Sequence, residues 1–69
     1  MTNLSVVLST YNEAANIRET INKLLLKKLV KEIIIIDDNS NDDTVSIINS
    51  IKNEKIFLNY IIYCNFLIC

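Results

Sequence analysis

Two apolar runs frame the first half of the chain. Leu4-Ser5-Val6-Val7-Leu8-Ser9 is short and rich in β-branched residues, and Ile33-Ile34-Ile35-Ile36 is continuous. Apolar runs of this length suit strands of a parallel sheet covered on both faces, and they predict strands near residues 4–9 and 32–37. Between them Ala14, Ile17, Ile21, Leu24 and Leu25 recur at steps of three and four, with Asn16, Arg18, Glu19, Asn22 and Lys23 on the other side. That spacing predicts an amphipathic helix over about residues 13–28, with Asn12 as its N-cap and Lys27 and Lys28 at the negative end of its dipole. A second apolar set, Val45, Ile47, Ile48 and Ile51, predicts a helix over 43–53. Ser40 and Asp43 resemble a capping box at its start, and Ile56 to Ile62 is a candidate third strand. The order is β-α-β-α. Right-handed crossovers with strands added in one direction would put both helices on one face of the sheet, leaving the other open to water.

Composition narrows the classes. The chain has 69 residues, 51% of them hydrophobic and 22% charged, as expected of one small globular domain and not of a disordered segment. The net charge of −1 gives no basic patch, so nucleic acid is not an expected partner. Cys64 and Cys69 are the only cysteines and there is no histidine, too few donors for a tetrahedral zinc site. They are expected as a reduced pair in a cytosolic chain. The N-terminus lacks the basic and apolar regions of a signal peptide. The apolar tail, residues 56–69, is interrupted by Asn59 and Asn65 and is shorter than the ~20 residues that span a bilayer. The domain is expected over 1–55, followed by this tail.

The chemistry-bearing residues follow the two strands. Ser9-Thr10-Tyr11-Asn12-Glu13 comes after the first, and Asp37-Asp38-Asn39-Ser40-Asn41-Asp42-Asp43-Thr44 after the second. In open α/β sheets, ligands bind outside the carboxyl ends of the strands. Neighbouring parallel strands would bring the two loops side by side, about 4.8 Å apart at strand level. An aromatic ring beside a carboxylate pair suits a nucleoside, the ring packing on the base and a carboxylate accepting from base N–H or ribose hydroxyl groups. The plain alternative is that Asp, Asn and Ser are there to cap helices and satisfy their dipoles, with Tyr11 a packing residue. The residues alone leave both readings open. Glycine is absent from the chain, which excludes the glycine-rich dinucleotide and P-loop fingerprints.

Val6 to Ile17, with Thr10-Tyr11-Asn12-Glu13 at its centre, resembles the P-T-Y-N-E-x-x-N-I opening of family 2 glycosyltransferases. Ile36 to Thr44 resembles their V-D-D-x-S-x-D-x-T segment, in the right order and at the usual separation. The resemblance covers about residues 3–53, and its Asn-Glu-Ala and Asp-Asp-Asn-Ser pairing is most similar to dolichyl- and polyprenyl-phosphate mannosyltransferases. It implies the N-terminal β-α-β-α part of a Rossmann-like GT-A nucleotide-sugar-binding domain. It also implies transfer of a hexose from GDP-mannose or a UDP-sugar to a lipid phosphate or other acceptor. Carried over, Ser9, Tyr11 and Glu13 would flank base and ribose, Asp38 would bond the base, and Asp37 would be a structural or ribose-side partner. No residue is assigned a catalytic role.

The resemblance also implies Mg²⁺ or Mn²⁺ in the full-length family, held by a later D-x-D motif. No such motif follows residue 43. A truncated product, inactive alone, is therefore expected, working in the cytoplasm or at the cytoplasmic face of a membrane that carries polyprenyl phosphate. A non-catalytic nucleotide-binding remnant is the alternative. A receiver-type phosphoacceptor domain fits less well, because its acidic pair follows the first strand and here the pair follows the second. Two departures from the family stand out. Ser9 replaces a usual proline, which would loosen a turn before Tyr11. Asp43 replaces a usual glycine, which would strain or shift the turn into the second helix.

Overall fold

The computed structural model describes residues 3–60, with Tyr60 described by its backbone. The elements run β1 (Leu4–Thr10), α1 (Ile17–Leu25), β2 (Val30–Asp37), α2 (Thr44–Ser50) and β3 (Ile56–Tyr60). All three strands pair in parallel in the order β1-β2-β3. Val6 lies opposite Ile33, Leu8 opposite Ile35, and Thr10 opposite Asp37. On the other side of β2, Ile33 pairs with Ile56 and Ile35 with Leu58.

Period-two alternation decides which strand residues are covered. Ile33 and Ile35 are fully buried and join Ile17 and Ile21 of α1 and Ile48 of α2 in one core. Val6, Leu8, Ile56 and Leu58, all of the same parity across the sheet, pack against that core. Both helices therefore cover one face. The residues of opposite parity lie on the other face, where Val7 is 59% and Phe57 50% exposed and Ile34 and Ile36 are half-buried. Ile33–Ile36 is thus a strand, but with one face covered among the described residues, not the two that its continuous apolar character suggested.

The helices are shorter than their periodicity predicted. α1 begins at Ile17, not near residue 13, and ends at Leu25, and α2 occupies 44–50, not 43–53. Neither expected cap forms. Asn12 takes a left-handed conformation (φ 52°), and the N-cap positions Asn16 and Asp43 make no side-chain capping bond. No strained turn appears at Asp43, whose φ is −82°. The left-handed residue of that loop is Asn39, at φ 57°. Nor does Ser9 sit at a turn: it lies within β1, paired with Ile36. The sheet continues past residue 55 into β3, as the run from Ile56 predicted, while Ile61, Ile62, Cys64 and Cys69 fall outside the described residues.

Candidate nucleotide-binding site

The loops that leave β1 and β2 emerge side by side because the strands are adjacent and parallel. Asp37, the last residue of β2, has the parity of the covered face and is 1% exposed. A carboxylate taken out of water must be met by donors, and three are supplied. Thr10 Oγ1 donates to Oδ1 at 2.7 Å, Ser40 Oγ to the same oxygen at 2.6 Å, and the Ser40 amide to Oδ2 at 2.9 Å. Burial, and to a smaller degree the charge of Asp42, push the Asp37 carboxyl upward. The bonds from Ser40 and Thr10 outweigh them and hold it below its ordinary value of 3.8.

Asp42 plays a matching part three residues after the left-handed Asn39. It accepts from the Thr44 hydroxyl, from the Thr44 amide at 2.9 Å and from the Ala14 amide at 3.2 Å. The Thr44 hydroxyl is the largest influence, and together these bonds hold Asp42 below its ordinary value against a smaller opposing effect of burial.

Each carboxylate thus orients a hydroxyl, and each hydroxyl receives an amide of the first loop. Asn12 N–H donates to Ser40 Oγ at 2.9 Å, and Glu13 N–H to Thr44 Oγ1 at 2.8 Å. With Ala14 on Asp42, three consecutive amides of the first loop are held by side chains of the second. The traffic also runs back. Asn12 Oδ1 accepts from the amides of Asn41 (2.7 Å) and Asp42 (3.3 Å), and Thr10 C=O accepts from Asp38 N–H at 2.9 Å.

Tyr11 and Asp38 are carried on the rim of this clasp. Tyr11 is 52% exposed and its hydroxyl lies 3.5 Å from Asn41 Nδ2. Asp38 has an exposed side chain and is anchored by its backbone alone. Glu13 is exposed, and its carbonyl accepts from the amides of Asn16 (3.0 Å) and Ile17 (2.8 Å), turning the chain into α1. Ser9 is exposed on the face of the sheet away from the helices. All five residues singled out from the sequence therefore lie at this end of the sheet, four exposed and Asp37 enclosed.

In the sequence Asn12 reads as a cap, Ser40 as part of a capping box, Asp42 as a dipole partner and Thr44 only as the end of the acidic segment. A signal is there: Ser40 three residues after Asp37, and Thr44 two after Asp42, is the local spacing at which an Asp side chain accepts from a following backbone amide. Asp37 and Asp42 are poorly placed to hold a divalent cation. Asp37 and Asp42 spend their oxygens on protein donors, and among the described residues no three acidic, histidine or cysteine side chains converge.

The model of glycosyl transferase family 2 matches residues 5–63. The chain belongs to that family. Relatives include the poly-beta-1,6-N-acetyl-D-glucosamine synthases of Staphylococcus aureus strains COL and MRSA252, each 43% identical over 56 residues. The alignment takes in 80% of this chain and 14% of theirs, so the chain spans about a seventh of the length of the curated relatives it matches. This family 2 glycosyltransferase chain is an α/β unit of parallel strands, the N-terminal Rossmann-like portion of the GT-A fold. Among its described residues, no helix is long and apolar enough to cross a membrane.

Proposed function

We propose that this chain forms the nucleotide-sugar-binding portion of a hexosyltransferase. The observation that supports the reading is the placement of Tyr11 and Asp38. They stand exposed on neighbouring loops at the carboxyl ends of β1 and β2, within the segment the family matches. Tyr11 packs on the base, Asp38 accepts from a base N–H, and Ser9 and Glu13 flank base and ribose. Asp37 acts from beneath, as the structural partner that shapes the loop.

The donor is a nucleoside diphosphate sugar. Between GDP-mannose and a UDP-sugar, relatives named for a polymer of N-acetyl-D-glucosamine favour an N-acetylhexosamine on UDP. The acceptor is a growing glycan or a lipid phosphate, and in the second case the enzyme works at the cytoplasmic face of a membrane. The full-length enzyme is expected to use Mg²⁺ or Mn²⁺, held by residues other than the clasp carboxylates.

Calorimetry with UDP, GDP and UDP-N-acetylglucosamine tests the reading. The wild-type chain should bind uridine nucleotides more tightly than GDP. Asp38→Ala should weaken binding by about 1.5–3 kcal/mol, the range for a hydrogen bond to a charged group. Tyr11→Ala should cost about 1–3 kcal/mol, the worth of base stacking on an aromatic ring. Unchanged affinity in both variants would remove these residues from the site.

A further inference from the structure

The clasp carries more than loop shape. We infer that the hydroxyls of Ser40 and Thr44 are positioning residues for the nucleotide, setting the spacing of Tyr11 and Asp38 by gripping the amides of Asn12 and Glu13. The inference rests on the nucleotide-binding reading above for its ligand.

The geometry has a division of labour. Ser40 Oγ donates to Asp37 at 2.6 Å and accepts from Asn12 N–H at 2.9 Å. Thr44 Oγ1 donates to Asp42 and accepts from Glu13 N–H at 2.8 Å. A hydroxyl whose proton is committed to a carboxylate presents its lone pairs outward, so each is fixed as an acceptor for the first loop. Thr44 is completely buried and Ser40 partly so, which shields both bonds from competing water. Tyr11 directly precedes the two gripped amides, and Asp38 is tied by its own amide to Thr10, the residue before Tyr11. Neither hydroxyl needs to touch the nucleotide. Losing one frees one amide of the first loop and lets Tyr11 drift from Asp38.

The test uses the 69-residue chain, ¹⁵N-labelled, as wild type, Ser40→Ala, Thr44→Val and Thr44→Ser, in amide spectra and in calorimetric titrations with UDP. Without ligand, Ser40→Ala should move the Asn12 amide upfield and leave that of Glu13 in place, while Thr44→Val should do the reverse. With UDP, each should bind about tenfold more weakly, equivalent to about 1.4 kcal/mol, and Thr44→Ser should restore the wild-type affinity. A general loss of stability would instead move both amides together in each variant. If Thr44→Val does not fold, the partly exposed Ser40→Ala decides by the same two readouts.

The inference is overturned if the Asn12 and Glu13 amides ignore their partner's removal, or if UDP affinity in Ser40→Ala and Thr44→Val equals that of wild type. A wild-type chain that binds neither UDP nor GDP overturns the nucleotide reading itself, and with it the positioning role. The amide pattern then shows whether the grip was there to do it.

Discussion

Asp37 and Asp38 are neighbours in sequence with opposite surroundings. Strand alternation carries Asp37 under the loops, where it meets three donors, and leaves Asp38 in solvent. Their truncations should therefore separate stability from binding. Asp37→Ala strands the buried Thr10 hydroxyl and the Ser40 amide, and should cost about 1–3 kcal/mol of folding stability for the groups left unpaired. Asp38→Ala, an exposed change, should stay within about 0.5 kcal/mol of wild type in the same urea titration. Equal losses would show that the buried bonds do not hold the loop. Acid should act on the same groups. Both Asp37 and Asp42 sit below their ordinary value of 3.8 in the folded chain. Their contribution is thus fully present above that value and is lost as pH falls from it toward their lower folded-state values. Thermal melting should be insensitive to these two groups near neutrality and should fall below about pH 4, with a shallower fall in Asp37→Asn. A wild-type profile flat through that window would contradict the bonded carboxylates.

At the level of elements, the strands were legible and the helix starts were not. Ile33-Ile34-Ile35-Ile36 announces β2 because few local alternatives exist for four β-branched residues in a row. The helix pattern through Ala14 predicted a start near residue 13, yet α1 begins at Ile17, and the amides of Asn12, Glu13 and Ala14 before it are tied to the other loop. Those bonds join residues 28 to 31 positions apart, and no local periodicity records them. The same distance hid the role of Asn12, which read as a cap. Two asparagines now have left-handed backbones with different duties. Glycine adopts that conformation without the penalty of a Cβ. Asn39→Gly should therefore be neutral or stabilising, by up to about 1 kcal/mol. Asn12→Gly gains the same backbone ease but loses the acceptor for the Asn41 and Asp42 amides, and should be net destabilising by about 1 kcal/mol. Denaturant midpoints of the two variants moving in the same direction would show that Asn12 contributes only its conformation.

Across the whole molecule, charge is sorted by the topology. Loops that follow strands gather at one end of a parallel sheet, and there lie Glu13, Asp37, Asp38, Asp42 and Asp43. The turns that precede strands gather at the other end, and they hold Lys27, Lys28, Lys52 and Lys55 beside one acid, Glu54. Lys23 pairs with Glu19 at 3.0 Å, and Arg18 donates to Ser50 at 2.8 Å. A nucleoside can dock on Tyr11 and Asp38 despite this arrangement, since its base is uncharged. The diphosphate that follows would meet carboxylates. Transfer at the anomeric carbon requires the leaving diphosphate to be stabilised, and one preorganised donor is worth about 2.7–4 kcal/mol in such a role. Holding an acceptor in attack geometry is worth about 7 kcal/mol or more, and the clasp offers no group for that purpose. The 69-residue chain by itself should therefore bind nucleotide without transferring sugar, even with acceptor and Mg²⁺ or Mn²⁺ supplied. A radiolabelled UDP-N-acetylglucosamine assay should give no product above a heat-killed control. Turnover that disappears in Asp38→Ala would mean that this acidic end holds the supplied cation against the diphosphate after all, and that donor binding and chemistry share these two loops.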